Sequence, residues 1–371
     1  MDNDKSFAFY VSQLSIENAF IIENIFGKSQ AISFQTEKIS THKANIAMYL
    51  YSEKTNIGFN CSILKIDESS ISIQTDSTST TSYAIQADST SITNSTIEGE
   101  IYNKDTSTEY IRNIFFNSGK LSAENSTINI FSKGNICYGI SGDKIKLDKT
   151  RMTINCQASY GATGIYAPEI SVLNSSEINN IINAKDIYAI RSNNLICKNS
   201  TLSSKLIGTS CTNLKSLNIL ADFSTIQSEI NSNEISYGLD ANKIQLHNDT
   251  INEQITNRIQ ESSIIDVIGI RCDSLESINN QIILSLNGFK GCGIYGNDAI
   301  FQKGSLEING EFGNDMYGLN TTTNTFYNVE FHTNINAKGT VIINSAKKIS
   351  SSKNIYNFDK ITGTTGLGFY T

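Results

Sequence analysis

The stretch YGISGDKIKLDKT at residues 138–150 has two counterparts, TGIYAPEISVLNS at residues 163–175 and YAIRSNNLICKNS at residues 188–200. The three segments begin 25 residues apart, and each carries an apolar anchor, a second one five residues later and a hydroxyl after five more. A unit of this size cannot bury its apolar face alone and must stack on its neighbours. The period therefore predicts a repeat protein.

The apolar residues inside each unit alternate with polar ones. Examples of this alternation are Ile128 with Ile130, Ile145 with Leu147, and Ile170 with Val172. A period of two indicates strands, and the Gly, Asn, Asp and Ser residues between these runs are typical of turns. Helical repeats would show spacings of three and four, and neither the leucine-rich line nor hexapeptide periodicity is present. These patterns predict an all-β parallel β-solenoid in which each unit is one coil of three short strands.

Weaker copies of the template extend the repeat in both directions. We predict about 11–12 coils of roughly 25 residues over residues 31–345, an N-terminal cap at 1–30 and a C-terminal cap or irregular tail at 346–371. The Gly-rich end of the chain is expected to leave the regular coil. The spacing of Leu14, Ile21 and Ile25 suggests an amphipathic helix as the N-terminal cap, whereas the alternation around Ile16 would fit an irregular first strand.

Charge and hydropathy narrow the range of partners. The net charge is −7 without any Lys/Arg-rich run, so nucleic acid is not an expected partner. No uncharged apolar run reaches the length of about 18 residues that a membrane-spanning segment needs. Residues 1–30 lack the basic region and small-residue cleavage site of a secretory signal. The sequence leaves the route of export and the oligomeric state open.

The seven cysteines form no CxxC pair and no Cys/His cluster. Zinc sites need closely spaced ligands, so the sequence predicts no structural zinc site, and no residue is assigned to a metal or a cofactor. An odd number of cysteines fits free thiols better than a complete disulfide framework. We expect the thiols to be buried, because several of them lie close to repeat anchors.

The coil length, the strand alternation and the Asn/Ser/Thr-rich turns resemble those of the right-handed parallel β-helix, or pectin-lyase-like, proteins. Among these, the chain is most similar to passenger domains of bacterial autotransporter adhesins and related surface antigens. The resemblance covers about residues 30–345 and implies a right-handed coil, surface display and adhesion. The chain departs from that pattern because it has no recognisable membrane barrel and carries many cysteines.

A possible ligand face comes from two sets of residues that recur near the anchors. The first set consists of tyrosines two residues before an anchor, and its members are Tyr138, Tyr188, Tyr237 and Tyr317. Stacked rings bind sugars but also stabilise solenoid cores, and their position relative to the isoleucines favours the interior or a corner. The second set consists of carboxylates after the anchor, of which Asp240, Asp273 and Asp298 are the clearest. These acids form either a solvated ladder or a calcium or catalytic site.

No residue is assigned a catalytic role. The histidines His42, His247 and His332 lie far apart in the sequence and share no evident repeat position. No nucleophile elbow, phosphate-binding glycine loop or His-x-x-x-His pair occurs. Coils of nearly constant length also offer no long loops with which to build a cleft.

The leading functional hypothesis is a non-catalytic β-solenoid, exposed on a cell surface or exported, that binds a protein or glycan partner. A polysaccharide lyase or glycoside hydrolase of the pectin-lyase-like or tailspike type is the first alternative. An intracellular scaffold or effector is the second alternative, and it would place the chain in the cytoplasm.

Overall fold

The computed structural model describes residues 4–78, 81–104, 112–259, 261 and 264–370. Within these residues every regular element is a strand, and the strands pair in parallel as a right-handed β-solenoid of about 14 turns with roughly 25 residues each. The fold class predicted from the repeat is therefore confirmed. The chain divides into two compact units, residues 1–185 with 190–192 (unit 1) and residues 186–189 with 193–371 (unit 2).

Each turn of unit 1 carries three short strand segments, and segments of successive turns pair in register. The strands of unit 1 are β1 Lys5–Tyr10, β2 Gln13–Glu17, β3 Phe20–Gly27, β4 Gln30–Gln35, β5 Lys38–His42, β6 Asn45–Ser52, β7 Thr55–Asp67, β8 Ser70–Ser77, β9 Ser82–Thr93, β10 Thr96–Asn103, β11 Arg112–Glu124, β12 Thr127–Asp148, β13 Arg151–Tyr166 and β14 Glu169–Leu173. Residues of both units lie in β15, Glu177–Arg191.

Unit 2 repeats the same arrangement of three segments per turn. Its strands are β16 Asn194–Lys198, β17 Thr201–Asp222, β18 Thr225–Ser232, β19 Ser236–His247, β20 Thr250–Asn257, β21 Val267–Gly288, β22 Gly291–Phe312, β23 Met316–Asn320, β24 Thr323–Tyr327, β25 Glu330–Ala337, β26 Thr340–Ser345, β27 Lys348–Ser352, β28 Ile355–Thr362 and β29 Thr365–Tyr370. We call the three segments of a turn its first, second and third faces, beginning with β1, β2 and β3 respectively.

The core consists of apolar columns whose members are neighbours in register. In unit 1, Ile85, Phe116, Ile140 and Ile165 form such a column, and each is 0% exposed. In unit 2, the column consists of Leu214, Leu239, Ile270, Ile294 and Leu319. At about 25 cal/mol per Å² of buried apolar area, each such side chain stabilises its turn by a few kcal/mol. The predicted stacking of anchors is confirmed.

A second column, made of polar side chains, lies at the corner between the second and third faces. The residue before each corner side chain has a positive φ, as at Asn94, Asn125 and Asn199. This conformation suits Asn better than most residues. The corner side chain then accepts a hydrogen bond from the backbone of the preceding turn: Ser126 Oγ from Ser95 N at 3.2 Å is one example. In two of the three template segments the recurrent hydroxyl, Thr150 or Ser200, is this corner residue; in the third the corner residue is Ser176, one position after Ser175.

The N-terminal helix predicted from the spacing of Leu14, Ile21 and Ile25 is wrong. Residues 5–27 form β1, β2 and β3, which pair in register with β4, β5 and β6. Parallel pairing satisfies the backbone of this turn, and Ile16 and Ile25 point into the core at 6% and 8% exposure. The alternative of a first strand is the one that the structure supports.

The C-terminal stretch also stays in the coil, because β29 pairs with β26 from Thr340↔Thr365 to Ser345↔Tyr370. The expectation that the Gly-rich end leaves the coil is therefore wrong. The 14 turns exceed the 11–12 predicted because the first and last turns were assigned to caps. Two turns lengthen to 31 residues, from Thr96 to Thr127 and from Thr250 to Gln281.

Candidate functional site

The four predicted tyrosines are half-buried rather than enclosed with the isoleucine column. The reason is a local interruption of the alternation on the first face. In unit 2, Thr212 pairs with Tyr237 and Leu214 with Leu239, while Asn213 and Gly238 between them are left out of the pairing and the register is unchanged. Gly238 and Leu239 are neighbours and both are buried, so the strict alternation that would put Tyr237 on the same side as Leu239 does not hold here. The sequence favoured the interior or a corner for these rings; Tyr237 is half-buried, and its ring packs against the partly exposed Arg271.

The tyrosines also do not form a continuous stack. The neighbours of Tyr237 in its row are Thr212 and Ile268, and the neighbour of Tyr317 is Cys292. In unit 1, Tyr138 pairs with Thr163. Each ring is therefore separated from the next by at least one small or aliphatic side chain, and any aromatic contact with a ligand involves single rings.

The three predicted aspartates lie in three different register rows of unit 2. Asp240 pairs with Arg271, Asp298 pairs with Ser274, and Asp273 lies between these rows. Asp273 accepts a hydrogen bond from Asn297 at 3.3 Å, and Asp298 accepts one from Thr323. The structure therefore does not bring these carboxylates together on one stacked ladder.

The most organised polar assembly on the first face of unit 2 centres on Arg271. Its guanidinium donates two hydrogen bonds to the Asp240 carboxylate, at 2.7 and 2.6 Å. The same guanidinium lies 4.1 Å from the centre of the Tyr237 ring and donates to the Tyr237 hydroxyl at 3.0 Å. We call Tyr237, Asp240 and Arg271, together with Lys215, the Arg271 cluster.

Lys215 extends the Arg271 cluster toward Tyr188. Its ammonium group lies 3.7 Å from the Asp240 carboxylate and 5.6 Å from the centre of the Tyr188 ring. The cluster therefore joins two of the predicted tyrosines and one predicted aspartate. On the other side, Tyr295 pairs with Arg271 and is 42% exposed.

Electrostatics hold the Arg271 cluster in one arrangement. The bidentate hydrogen bonds to Asp240 raise the pKa of Arg271, and burial raises the pKa of the Tyr237 phenol. Both groups thus keep their protons over the physiological range. A bidentate Arg–carboxylate pair with a stacked ring fixes the guanidinium plane. The result is a preorganised cluster of rings and fixed charges, which suits recognition.

Unit 2 also buries carboxyl groups that are not part of the Arg271 cluster, among them Glu253 and Asp249. Glu253 is 0% exposed and accepts hydrogen bonds from Asn213 and Ser228, and burial raises its pKa to about 7. Asp249 is the corner side chain of its turn, and burial raises its pKa to about 7 as well. Their contacts are with the protein, which favours a structural role over a catalytic one.

Unit 1 contains one group of side chains that has the composition of a metal site. The ligand atoms of His42, Asp67 and Glu68 lie within 4.8 Å of one another, and this is the one such group within the residues that the structure describes. His42 Nδ1 lies 3.1 Å from Asp67, and Lys43 lies 3.7 Å from Glu68. The carboxylates of Asp67 and Glu68 thus already have partners within the protein. We therefore interpret the group as a cluster of paired polar side chains on the surface.

Sequence reasoning missed this group although the period could have found it, because His42 and Asp67 are 25 residues apart. His42 and His247 also occupy the same repeat position, since each is the last residue of a second-face segment. The expectation that the histidines share no position is therefore wrong for these two.

Comparison of the chain with protein-family models, with curated proteins and with solved structures finds no match. Within the residues that the structure describes, no helix has the length and apolar character needed to cross a bilayer. The functional argument consequently starts from the geometry of the two units.

Proposed function

We propose that this protein is a non-catalytic β-solenoid, exposed on a cell surface or exported, that binds a protein partner in the manner of an adhesin. The observation that carries this proposal is the Arg271 cluster on unit 2. Tyrosine and arginine are the residues over-represented at the energetic centres of protein interfaces. Here Tyr237 and Arg271 are held rigid before any partner arrives, which lowers the entropic cost of association.

The charge state of the Arg271 cluster favours a partner with mixed polarity. Asp240 neutralises one of the two cations, Arg271 and Lys215, so the cluster keeps about one net positive charge. A protein surface that offers a carboxylate beside an apolar or aromatic side chain would complement it. We place binding here and not at the aspartates, because Asp273 and Asp298 lie in separate rows.

The test measures binding of the purified full chain to an array of folded proteins. The same measurement is then repeated with the double variant Y237A/R271A. The expected result is binding to a discrete set of proteins, weakened roughly a hundredfold by the double variant, which is about 3 kcal/mol. The matched control is Y327A/K353A, which removes a Tyr–Lys pair elsewhere in unit 2. In that pair the Lys353 ammonium group lies 5.6 Å from the centre of the Tyr327 ring.

The proposal fails if both double variants bind equally well, or if the chain binds no protein and instead cleaves a polysaccharide. The second result would favour the enzyme alternative. Surface exposure is tested separately, by protease accessibility of the protein on intact cells that produce it. Full protection on intact cells combined with digestion after lysis would favour an intracellular scaffold.

A further inference from the structure

Unit 1 has a groove at the corner between the first and second faces. It has a volume of about 730 Å³. One wall is a row of amide side chains in register, consisting of Gln35, Asn60, Gln86 and Asn117. Tyr10 heads this row and is 78% exposed. Five strands spaced about 4.8 Å apart give the row a length of roughly 19 Å.

The groove is concave because its floor consists of small side chains. Thr36, Cys61 and Ala87 line it and are 7%, 8% and 7% exposed. The opposite wall carries Glu37 and Asp88, both exposed. A trough is thus formed between a wall of amides and a wall of carboxylates.

Most of the hydrogen-bonding capacity in this groove is unused. Asn60 donates to Gln35 at 2.5 Å. In the part of the chain that the structure describes, the side chains of Gln86, Asn117, Glu37 and Asp88 make no hydrogen bond or ion pair with another residue. Amides offer donors and acceptors side by side, and carboxylates offer acceptors only. Such a set matches a ligand with many neighbouring hydroxyl groups.

The charge of the groove selects among such ligands. Among the described residues that line it, none is basic and two are acidic. An anionic chain would bring its charges next to Glu37 and Asp88 without a compensating cation, at an unfavourable electrostatic cost. The length of the amide row favours a ligand made of several linked hydroxyl-rich rings over a single ring. The exposed ring of Tyr10 adds an apolar platform with a polar tip at one end.

We propose that this groove binds a neutral oligosaccharide along the amide row, as a second binding site that does not depend on the Arg271 cluster. The amides of Gln86 and Asn117 contact pairs of hydroxyls on one side of the chain. Glu37 and Asp88 accept hydrogen bonds from hydroxyl groups on the other side. One sugar ring packs against Tyr10.

The test uses maltoheptaose, cellohexaose and mannohexaose as neutral probes, with polygalacturonate and heparin as anionic ones. Binding to the full chain is measured by calorimetry, with the variant Q86A/N117A beside it. We expect at least one neutral probe to bind and its Kd to rise roughly tenfold in the variant, as for the loss of two hydrogen bonds. No anionic probe is expected to bind.

The matched control is N194A/N218A, which removes an exposed amide pair of unit 2 joined by a 2.8 Å hydrogen bond and not part of the groove. This control and Y237A/R271A should both bind the neutral probe as the unaltered chain does. Unchanged melting temperatures show that each variant is folded. The proposal is overturned if no neutral probe binds at millimolar concentrations, if an anionic probe binds instead, or if Q86A/N117A and the control behave alike. None of these results bears on protein binding by unit 2.

Discussion

The side-chain amide of Asn213 donates a hydrogen bond of 2.9 Å to the carboxylate of Glu253, which is fully enclosed in unit 2. The two residues are 40 positions apart in the sequence and lie on different faces of the coil. Ser228 donates a second hydrogen bond to the same carboxylate. Burial favours the protonated form of this carboxyl more strongly than the two hydrogen bonds favour the charged form, so the enclosure of Glu253 makes the stability of the fold depend on pH.

We expect the chain to be less stable at about pH 8 than at about pH 5, in part through Glu253. Burial raises the pKa of Glu253 from 4.5 to about 7, so the unfolded chain loses this proton at lower pH than the folded one. The contribution of Glu253 to the unfolding free energy is fully present below the pKa of the unfolded chain and is lost as the pH rises through the pKa of the folded chain. The difference between these two pKa values corresponds to roughly 3 kcal/mol.

Urea unfolding of E253Q at the two pH values tests this expectation. The glutamine keeps the size of the side chain and cannot ionise, so the difference in unfolding free energy between the two conditions should shrink by about 3 kcal/mol. The exposed Asp273, replaced in D273N, serves as the control and should leave the difference unchanged. An equal pH dependence in E253Q and the unaltered chain would contradict the assignment.

The corner residue Asp249 should be replaceable by serine but not by alanine. Its carboxylate accepts hydrogen bonds from the backbone N–H groups of Ser224 and His247, each at 2.7 Å. The D249A variant leaves both donors without this acceptor, at a cost of about 2–4 kcal/mol. In D249S the hydroxyl takes the place that Ser224 has one turn earlier, where it accepts from Ser200 N at 3.4 Å.

The measurement is chemical unfolding of D249S and D249A at about pH 5, and the two variants are compared with each other because neither can ionise at residue 249 in the folded or the unfolded chain. D249S should retain about half of the free energy that D249A loses. Equal unfolding free energies for the two variants would show that the corner side chain is not an acceptor that stabilises the coil.

Gly238 should not tolerate a side chain, because the space above Glu253 is already filled. A Cβ at residue 238 would lie 2.5 Å from the carbonyl oxygen of Gly269 and 2.9 Å from Cγ of Glu253. We expect G238A to lower the unfolding free energy by about 1–3 kcal/mol. Shortening Glu253 removes one of the two collisions, so G238A/E253S should be more stable than the sum of the single changes predicts. Strict additivity in a double-mutant cycle would contradict this packing.

The fold could be predicted because every turn repeats the same physical requirement. Ile140 and Ile165 are buried only because they stack on each other in successive turns. This stacking requires a constant period and an alternation of apolar and polar residues, and both are visible in the sequence. The N-terminal turn was misassigned because the spacing of Leu14, Ile21 and Ile25 is compatible both with a helix and with strands that bend at a corner. Only the in-register pairing of β2 with β5 and of β3 with β6 distinguishes the two.

The site was harder to predict because its contacts do not follow the constant period. Tyr237 and Asp240 were singled out, but their partner Arg271 lies 34 and 31 residues further on, across one of the lengthened turns. The unpaired residue Gly238 likewise interrupts the alternation that sequence reasoning used for the tyrosines. The amide row of unit 1 was not predicted, because its glutamine and asparagine residues are recognisable as a row only when the strand register is known.

The seven cysteines should be inert in the folded chain and reactive once it unfolds. All seven are free and buried, as the sequence predicted. Burial raises the pKa of Cys61, Cys137, Cys197, Cys211 and Cys272 to about 12 and raises those of Cys156 and Cys292 as well. Because the thiolate is the reactive form, a thiol reagent at neutral pH should label the native chain slowly and label seven sites in denaturant.

Cys61, on the floor of the unit 1 groove, should react first, and C61S should remove that fast site while leaving six thiols in denaturant. Rapid labelling of several thiols in the native state would mean that the coil opens far more often than its packed columns imply.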